Sequence, residues 1–321
     1  MRYRKLGATG LEVSEIGFGA WGIGGVSRGA TSYGATDDRE SCAALEIAFD
    51  RGVTFFDTSD LYGYGHSEHL IGQVFKSRRD RVVLATKAGF VEHGGPQDFS
   101  HEYLTRSLEG SLRRLQTDYV DLFQLHSPPI DLLARDPSVL ETLTWLVAQG
   151  KARAIGISVR SPSDGLVVVR SLGFKSIQVN FSMVDQRAIE CGLLEACEEL
   201  QVGIIARTPL CFGFLAGHYN KDTAFSRDDH RSTYSPKQRE LWANATRVLL
   251  ADVAGDAQSH AQVALRFCLS YPCVASAIPG MLKRAEVLEN VEASELGPLP
   301  LGERVQVEET YSRHAFFLGK N

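Results

Sequence analysis

Four side chains able to do acid–base chemistry sit at or near the ends of three consecutive apolar runs. Asp57 closes VTFFD, Lys87 closes RVVLATK and His126 closes YVDLFQLH, while Tyr62 follows Asp57 by five residues in DTSDLYGYGHSEHLIG. A phenol beside an ammonium is a candidate general acid. A free phenol, with a pKa of ~10, is a weak acid near neutrality, and an adjacent positive charge favours its phenolate form. A unit charge ~4 Å away is worth at most ~4 kcal/mol at an effective dielectric of ~20, or about three pH units. A carboxylate would keep such an amine charged and oriented, and an imidazole could donate a hydrogen bond to a bound ligand. Each residue has a plain reading by itself: Asp57 as a turn cap, Tyr62 as a packing group, Lys87 as an ion-pair partner, His126 as a loop histidine. Their arrival on successive runs favours one shared site. Tyr64 is a competing phenol. His66 and His69 read as solvated residues at a helix start, and no metal is expected. A lysine of this kind could also form a Schiff base, as in an aldolase, but the nearby acid argues for a charged amine.

These residues meet only if the runs are strands that end on one rim. Short β-type runs at 13–19, 53–59, 81–87, 119–126, 152–158, 176–180, 203–209 and 273–280 alternate with helical patterns at 38–51, 66–76, 100–115, 138–149, 161–173, 188–201, 261–272 and 283–291. The third helix is the clearest, with Ser100 as cap and Leu104, Leu108, Leu112 and Leu115 as one apolar stripe. Eight strand-then-helix units predict an α/β fold, a (β/α)8 TIM barrel over one domain, residues 1–321. A doubly wound sheet is the rival. The opening YRKLGATGLEVS predicts a hairpin with its turn near Gly7 and Gly10, placed to plug one barrel end. The segment 218–254 is too long for a plain connection after strand seven and predicts a lid or binding loop. In such barrels chemistry sits at the C-terminal ends of the strands, where Asp57, Lys87 and His126 fall.

Bulk properties narrow the class. The 321 residues are 44% hydrophobic and 23% charged, ordinary for a globular protein. A net charge of −5 without a long block of one sign disfavours nucleic acid and anionic membrane as partners. No apolar run approaches the ~20 residues of a membrane span, and the N-terminal MRYRKLGATG has no apolar signal core. Six cysteines without CxxC spacing read as reduced thiols, which predicts a cytoplasmic protein.

DTSDLYGYGHSEHLIG, VLATKAG and DLFQLHSP resemble the signature regions of the aldo-keto reductases, and GFGAWGIGG, GKARAIGISV, SIQVNFS, ARTPLCFGFLAG and AIPGMLKRAEVLENV resemble further family blocks in the same order. The resemblance spans nearly the whole chain. It implies a barrel that binds NADP(H) extended across the rim and interconverts carbonyls and alcohols, with Asp57, Tyr62, Lys87 and His126 as the catalytic set. It also implies cofactor contacts at Ala20, Trp21, Asp57, Ser158, Gln178, Arg207, Pro209, Leu210, Gly213, Leu215, Gly217, Gly280, Lys283, Glu286, Glu289 and Asn290. Three positions depart from the pattern. Val159 replaces the usual asparagine after Ser158, and Arg207 stands where many members stack a tyrosine on the nicotinamide. Glu286 stands where arginine or glutamine is usual, and a carboxylate there suits a free ribose hydroxyl better than a 2′-phosphate. The family pattern still makes NADP(H) the expected cofactor, with NAD(H) as the alternative that Glu286 suggests. A redox-sensing subunit that keeps the cofactor but turns over little, as in channel-associated relatives, is the non-enzymatic alternative. The substrate would be a small carbonyl or sugar, held by walls from Trp21, Phe90, the 218–254 segment and the tail HAFFLGKN.

Overall fold

The computed structural model describes residues 1–27, 29–250, 253 and 258–318. Two strands, β1 (Tyr3–Lys5) and β2 (Glu12–Ser14), form an antiparallel hairpin. Eight more run parallel in sequence order: β3 (Phe18–Gly19), β4 (Phe55–Asp57), β5 (Val83–Ala88), β6 (Val120–His126), β7 (Ala152–Ser158), β8 (Ser176–Asn180), β9 (Gly203–Arg207) and β10 (Val274–Ile278). Parallel bridges from Ile16 to Ala277 and from Gly19 to Gly280 join the first strand to the last and close the barrel.

Helices cover the outside, because strands joined in parallel need long crossovers. They are α1 (Asp38–Asp50), α2 (His66–Phe75), α3 (His101–Leu115), α4 (Ile130–Arg135), α5 (Ser138–Ala148), α6 (Pro162–Ser171), α7 (Arg187–Glu190), α8 (Leu193–Glu199), α9 (Pro236–Ala243), α10 (Ala245–Leu249), α11 (His260–Leu269), α12 (Arg284–Leu296) and α13 (Leu301–Ser312). In α3 the Ser100 hydroxyl accepts from the Tyr103 amide at 3.2 Å, and Leu104, Leu108, Leu112 and Leu115 are buried. None of the described helices is long and apolar enough to cross a membrane.

The two-residue period of a strand decides what each side chain meets. Phe56, Leu84, Phe123 and Ile157 face outward into the helix layer, where Phe56 packs on Phe75 at 4.5 Å between ring centres. Phe55, Ala85, Leu122, Ala154 and Ile205 share the second apolar cluster with Leu6, Leu11 and Val13 of the hairpin. The hairpin is thus the plug that its turn residues predict. Its seat is close: Gly7 has φ +52°, and a Cβ there would lie 2.3 Å from the Gly203 nitrogen. Two residues further along the same inward faces come Asp57, Lys87, Gln124 and Arg207, with His126 two beyond Gln124. One alternation therefore builds an apolar floor and a polar rim.

Several boundaries differ from the sequence reading. The run 13–19 divides between hairpin and barrel, since Glu15 turns aside to accept from Arg4 (2.6 Å) and Ser294 (3.0 Å). The helix expected at 188–201 is two pieces, α7 and α8, parted at Gly192 with φ +75°. The 218–254 segment contains α9 and α10, and its residues 251, 252 and 254 lie outside the described ones. Helices α4 and α13 have no counterpart in the sequence reading.

Candidate active site

Register brings the strand ends together. Asp57 closes β4, Lys87 pairs with Gln124, and His126 pairs with Ser158. Lys87 is wholly buried, and its ammonium donates to Asp57 Oδ1 at 2.5 Å, to the Thr58 carbonyl at 2.7 Å and to Tyr62 Oη at 3.3 Å. The other Asp57 oxygen accepts from Gln124 (3.0 Å) and Gln178 (2.8 Å). Burial opposes the charge on Lys87, but the attraction and hydrogen bonding of Asp57 and Tyr62 outweigh it, and the amine pKa rises. That charged state is the opposite of what imine formation requires, which argues against an aldolase.

His126 lies edge-on to the Tyr62 ring, 6.1 Å between centres, and to Phe90 at 5.0 Å. Burial, together with the charges of Lys87 and Arg207, holds its pKa well below the usual histidine value, so the imidazole is neutral. Its Nδ1 is hydrogen-bonded to Ser59 Oγ at 3.2 Å, which leaves Nε2 for the cleft. Tyr64, the rival phenol, lies outside this cleft and packs against His93 at 5.6 Å.

A cleft of about 660 Å³ opens over these groups and runs along the rim. Its lining includes Ala20, Trp21, Asp57, Tyr62, His126, Gln178, Arg207, Pro209, Leu210, Gly213, Gly280, Lys283, Glu286, Glu289 and Asn290. Three residues expected at the cofactor do not line it. Ser158 and Leu215 are fully buried beneath it, and Gly217 turns at φ +79° against the His260 ring. The tail also differs from expectation. Phe316 is buried, its carbonyl accepts from Gln238 at 2.8 Å, and Phe317 packs on Trp242, so residues 314–318 brace α9 and do not wall the cleft. Residues 319–321 of that tail lie outside the described ones.

The 218–254 segment, expected as a wall, contributes Tyr219, His230 and Arg231 to the lining, although the sequence reading named none of these residues, and it missed Tyr33 altogether. The Trp21 ring lies 5.0 Å from Tyr33 and 5.2 Å from His230. Arg231 is held by Asp229 at 2.6 Å and donates to Tyr219 at 2.5 Å. These residues come from irregular loops, where no periodicity marks them. Beyond β9 the backbone is forced: Thr208, Cys211 and Phe212 all have φ between +46° and +57°. Non-glycine residues in that region cost of order 1–3 kcal/mol each and cluster at functional sites.

At the far end of the cleft Glu286 does not point free. Its Oε2 accepts from the amides of Leu282 (2.7 Å) and Lys283 (3.3 Å), capping the start of α12. At the near end, two buried polar atoms, Ser158 Oγ and Arg207 Nε, have no hydrogen-bond partner among the described residues. Buried polar groups are normally paired, so these orphans mark where a polar ligand group or a small rearrangement would complete the bonding.

The sequence of residues 15–311 matches the model of the Aldo/keto reductase family. The chain belongs to that family. Among the relatives of this aldo/keto reductase is the Bacillus subtilis protein described as uncharacterized oxidoreductase YqkF, 33% identical over 92% of this chain and 91% of its own length. A probable voltage-gated potassium channel subunit beta from Oryza sativa subsp. japonica is 30% identical over 93% of each chain. The holo form of aldo-keto reductase AKR11C1 from Bacillus halodurans superposes with a TM-score of 0.78 at 29% identity, covering 100% of both chains. This reductase is accordingly an oxidoreductase on a (β/α)8 barrel.

Proposed function

We propose that this enzyme interconverts a small carbonyl compound and its alcohol with a nicotinamide dinucleotide lying along the rim, and that residues 1–321 act as one unit in the cytoplasm. The single observation that carries the reading is the buried contact of Lys87 with both Asp57 (2.5 Å) and Tyr62 (3.3 Å) beneath an elongated cleft. The six cysteines are free thiols, in keeping with a reducing compartment.

Gln178, Arg207 and the loop through Pro209, Leu210 and Gly213 would hold the nicotinamide half, with Trp21 as the facing wall. Arg207 lines the cleft, and its orphaned Nε fits a carboxamide's need for a polar partner; the orphaned Ser158 Oγ, buried beneath, would join it on rotating toward the cleft. Gly280, Lys283, Glu286, Glu289 and Asn290 would hold the adenosine half. Family pattern favours NADP(H), with Lys283 as the phosphate partner, while a carboxylate at Glu286 supports use of NAD(H). When bound, the reduced cofactor supplies the hydride. Tyr62 then gives its phenolic proton to the substrate oxygen, and Lys87 stabilises the phenolate left behind. Asp57 keeps Lys87 charged in a buried position, and His126 Nε2 bonds the substrate oxygen and fixes its approach. In the reverse direction Tyr62 accepts the proton. The aromatic walls at Trp21, Tyr33, Phe90 and Tyr219 suit sugars and aryl carbonyls alike.

The test is oxidation of NADPH or NADH by purified protein with a reactive aryl aldehyde. Tyr62→Phe should lose at least ~100-fold in turnover, since general acid catalysis contributes ~10²–10⁴. Near-normal turnover in that variant would remove Tyr62 as proton donor. The channel-subunit relative supports a second reading, a cofactor-binding regulatory subunit. Single turnover without multiple turnover on every carbonyl tried would favour it.

A further inference from the structure

Behind His126 runs a hydrogen-bonded chain that the proposed reaction does not use. His126 Nδ1 meets Ser59 Oγ at 3.2 Å, and Ser59 Oγ meets Asp60 Oδ1 at 3.1 Å. The other Asp60 oxygen accepts from Ser107 at 2.5 Å. Asp60 lines a second cleft of about 310 Å³ on the outer side of the barrel, which gives its carboxyl a path to solvent. The charged and titratable groups around it are Tyr64 on the loop after β4, Glu68 on α2, and Tyr103, Arg106, Arg113 and Arg114 on α3. Arg114 is committed to Glu68 at 2.6 Å, so Asp60 is left with hydroxyl donors and no ion pair among the described residues. Burial, reinforced by the Glu68 carboxylate against the pull of Ser107, Ser59 and Arg114, lifts Asp60 to about 7.

We propose that the Ser59–Asp60 pair decides which ring nitrogen of His126 carries the proton, and hence whether the enzyme offers the substrate oxygen a donor or an acceptor. The argument is a count of protons. Ser59 has one hydroxyl hydrogen and two acceptor sites, and one site is filled by the Leu61 amide at 3.1 Å. When Asp60 is ionised, its carboxylate is the strongest acceptor that Ser59 can reach, since charge-assisted bonds are about twice as strong as neutral ones. The Ser59 hydrogen turns to Asp60. Two acceptors cannot face each other, so His126 must carry its hydrogen on Nδ1 and donate to Ser59. Nε2 is then bare, an acceptor suited to an alcohol O–H. When Asp60 takes up a proton on Oδ1, it donates to the free site on Ser59. Both acceptor sites of Ser59 are then filled, so a hydrogen on Nδ1 would have no acceptor. Two acceptors remain for the Ser59 hydrogen, the Lys87 carbonyl at 3.3 Å and His126 Nδ1 at 3.2 Å. The carbonyl already accepts from the Asp60 amide, so the hydrogen turns to Nδ1, the ring hydrogen moves to Nε2, and the cleft presents a donor suited to a carbonyl. His126 stays neutral throughout, and the proton gained or lost is the one on Asp60. Ser59 and Asp60 are positioning residues, because neither touches the substrate.

The proposal rests on His126 facing the substrate oxygen, but its test does not need turnover. Protein labelled with 15N at its histidines would be followed by nuclear magnetic resonance over about pH 5 to 8, the range in which such switches operate, with a His126→Asn spectrum to assign the signals. The expected result is a neutral His126 ring whose hydrogen shifts from Nε2 to Nδ1 as pH rises through about 7. Asp60→Asn and Ser59→Ala should each abolish the pH dependence of the tautomer. In parallel, kcat/KM for carbonyl reduction should fall above that pH in wild type and lose this step in Asp60→Asn. A single tautomer at every pH, or the same shift in both variants, would overturn the proposal. Should Tyr62→Phe keep full turnover while the tautomer still follows Asp60, the proton-donor assignment fails and the relay stands.

Discussion

The floor and the rim of the barrel are built by the same strands, two to four residues apart, and they are held by opposite means. At the floor Phe55, Ala85, Leu122 and Ile205 meet Leu6 and Leu11 of the hairpin, with no charge among them. At the rim, the same alternation delivers Asp57, Lys87, Gln124, His126 and Arg207, and the buried charges there are held by directional hydrogen bonds. The floor gains from area removed from water, about 25 cal/mol per Å², and many apolar side chains could supply it. The rim buries a carboxylate and an ammonium together, which is tolerable only because each satisfies the other. The floor tolerates exchange of type. The rim does not.

The largest break in this comparison is Lys87→Met. Removing one partner of a pair with Lys87 wholly buried and Asp57 nearly so strands the carboxylate. It should cost about 3–5 kcal/mol in stability. It should also lower turnover far more than it weakens cofactor binding. Denaturant melts and cofactor titrations check both, and loss of cofactor affinity with intact single-turnover chemistry would contradict the role given to Lys87. Next comes the floor. Leu122→Ala removes a fully buried side chain and should cost about 2–5 kcal/mol. Turnover per folded molecule should stay unchanged, and a drop would mean that floor packing is coupled to the rim.

The smallest effect lies at the far end of the rim and sharpens the contrast there. Glu286→Arg should shift the NADPH-to-NADH affinity ratio toward NADPH by about tenfold, which needs only ~1.4 kcal/mol. The geometry adds a reason beyond charge: the substitution frees the Leu282 and Lys283 amides that Glu286 now occupies at the start of α12. The shift should shrink with added salt, because exposed charges are screened over ~10 Å at ~0.1 M. Fluorescence titration of both cofactors reads it, with Lys283→Ala as the control. Unchanged ratios in both variants would mean that neither residue reads the 2′ position.

The rim was the more legible half for a physical reason. Asp57, Lys87 and His126 interrupt apolar runs at positions where a buried charge makes sense only with a partner, so the sequence itself marks them. The hairpin was legible through Gly7, whose left-handed backbone and lack of room exclude other residues. What stayed hidden depends on contacts far apart in the chain. Tyr33 and Arg231, some two hundred residues apart, stack with 4.8 Å between guanidinium and ring, and neither lies in a periodic segment. Glu286 was read as facing the 2′ position of the cofactor, while its partners in the protein are the backbone amides of Leu282 and Lys283, which only the turn into α12 reveals. Asp60 stood in plain sight beside the signature residues, but its partner Ser107 lies on α3, far along the chain.

The seam between β3 and β10 carries a consequence for how the molecule is made. Hydrogen bonds from Gly17 to Ala277 and from Gly19 to Pro279, 2.9 and 3.0 Å long, tie the first barrel strand to the last. A ribosome releases the N-terminal strand long before the C-terminal one exists, and such distant pairings are slow to form. Until then β3 is an open edge, and the Trp21 wall and the Gly280–Asn290 wall of the cleft remain apart. Asp57, Lys87 and His126 can find each other early, yet the groove that would receive a dinucleotide is completed only when nearly the whole chain has been synthesised.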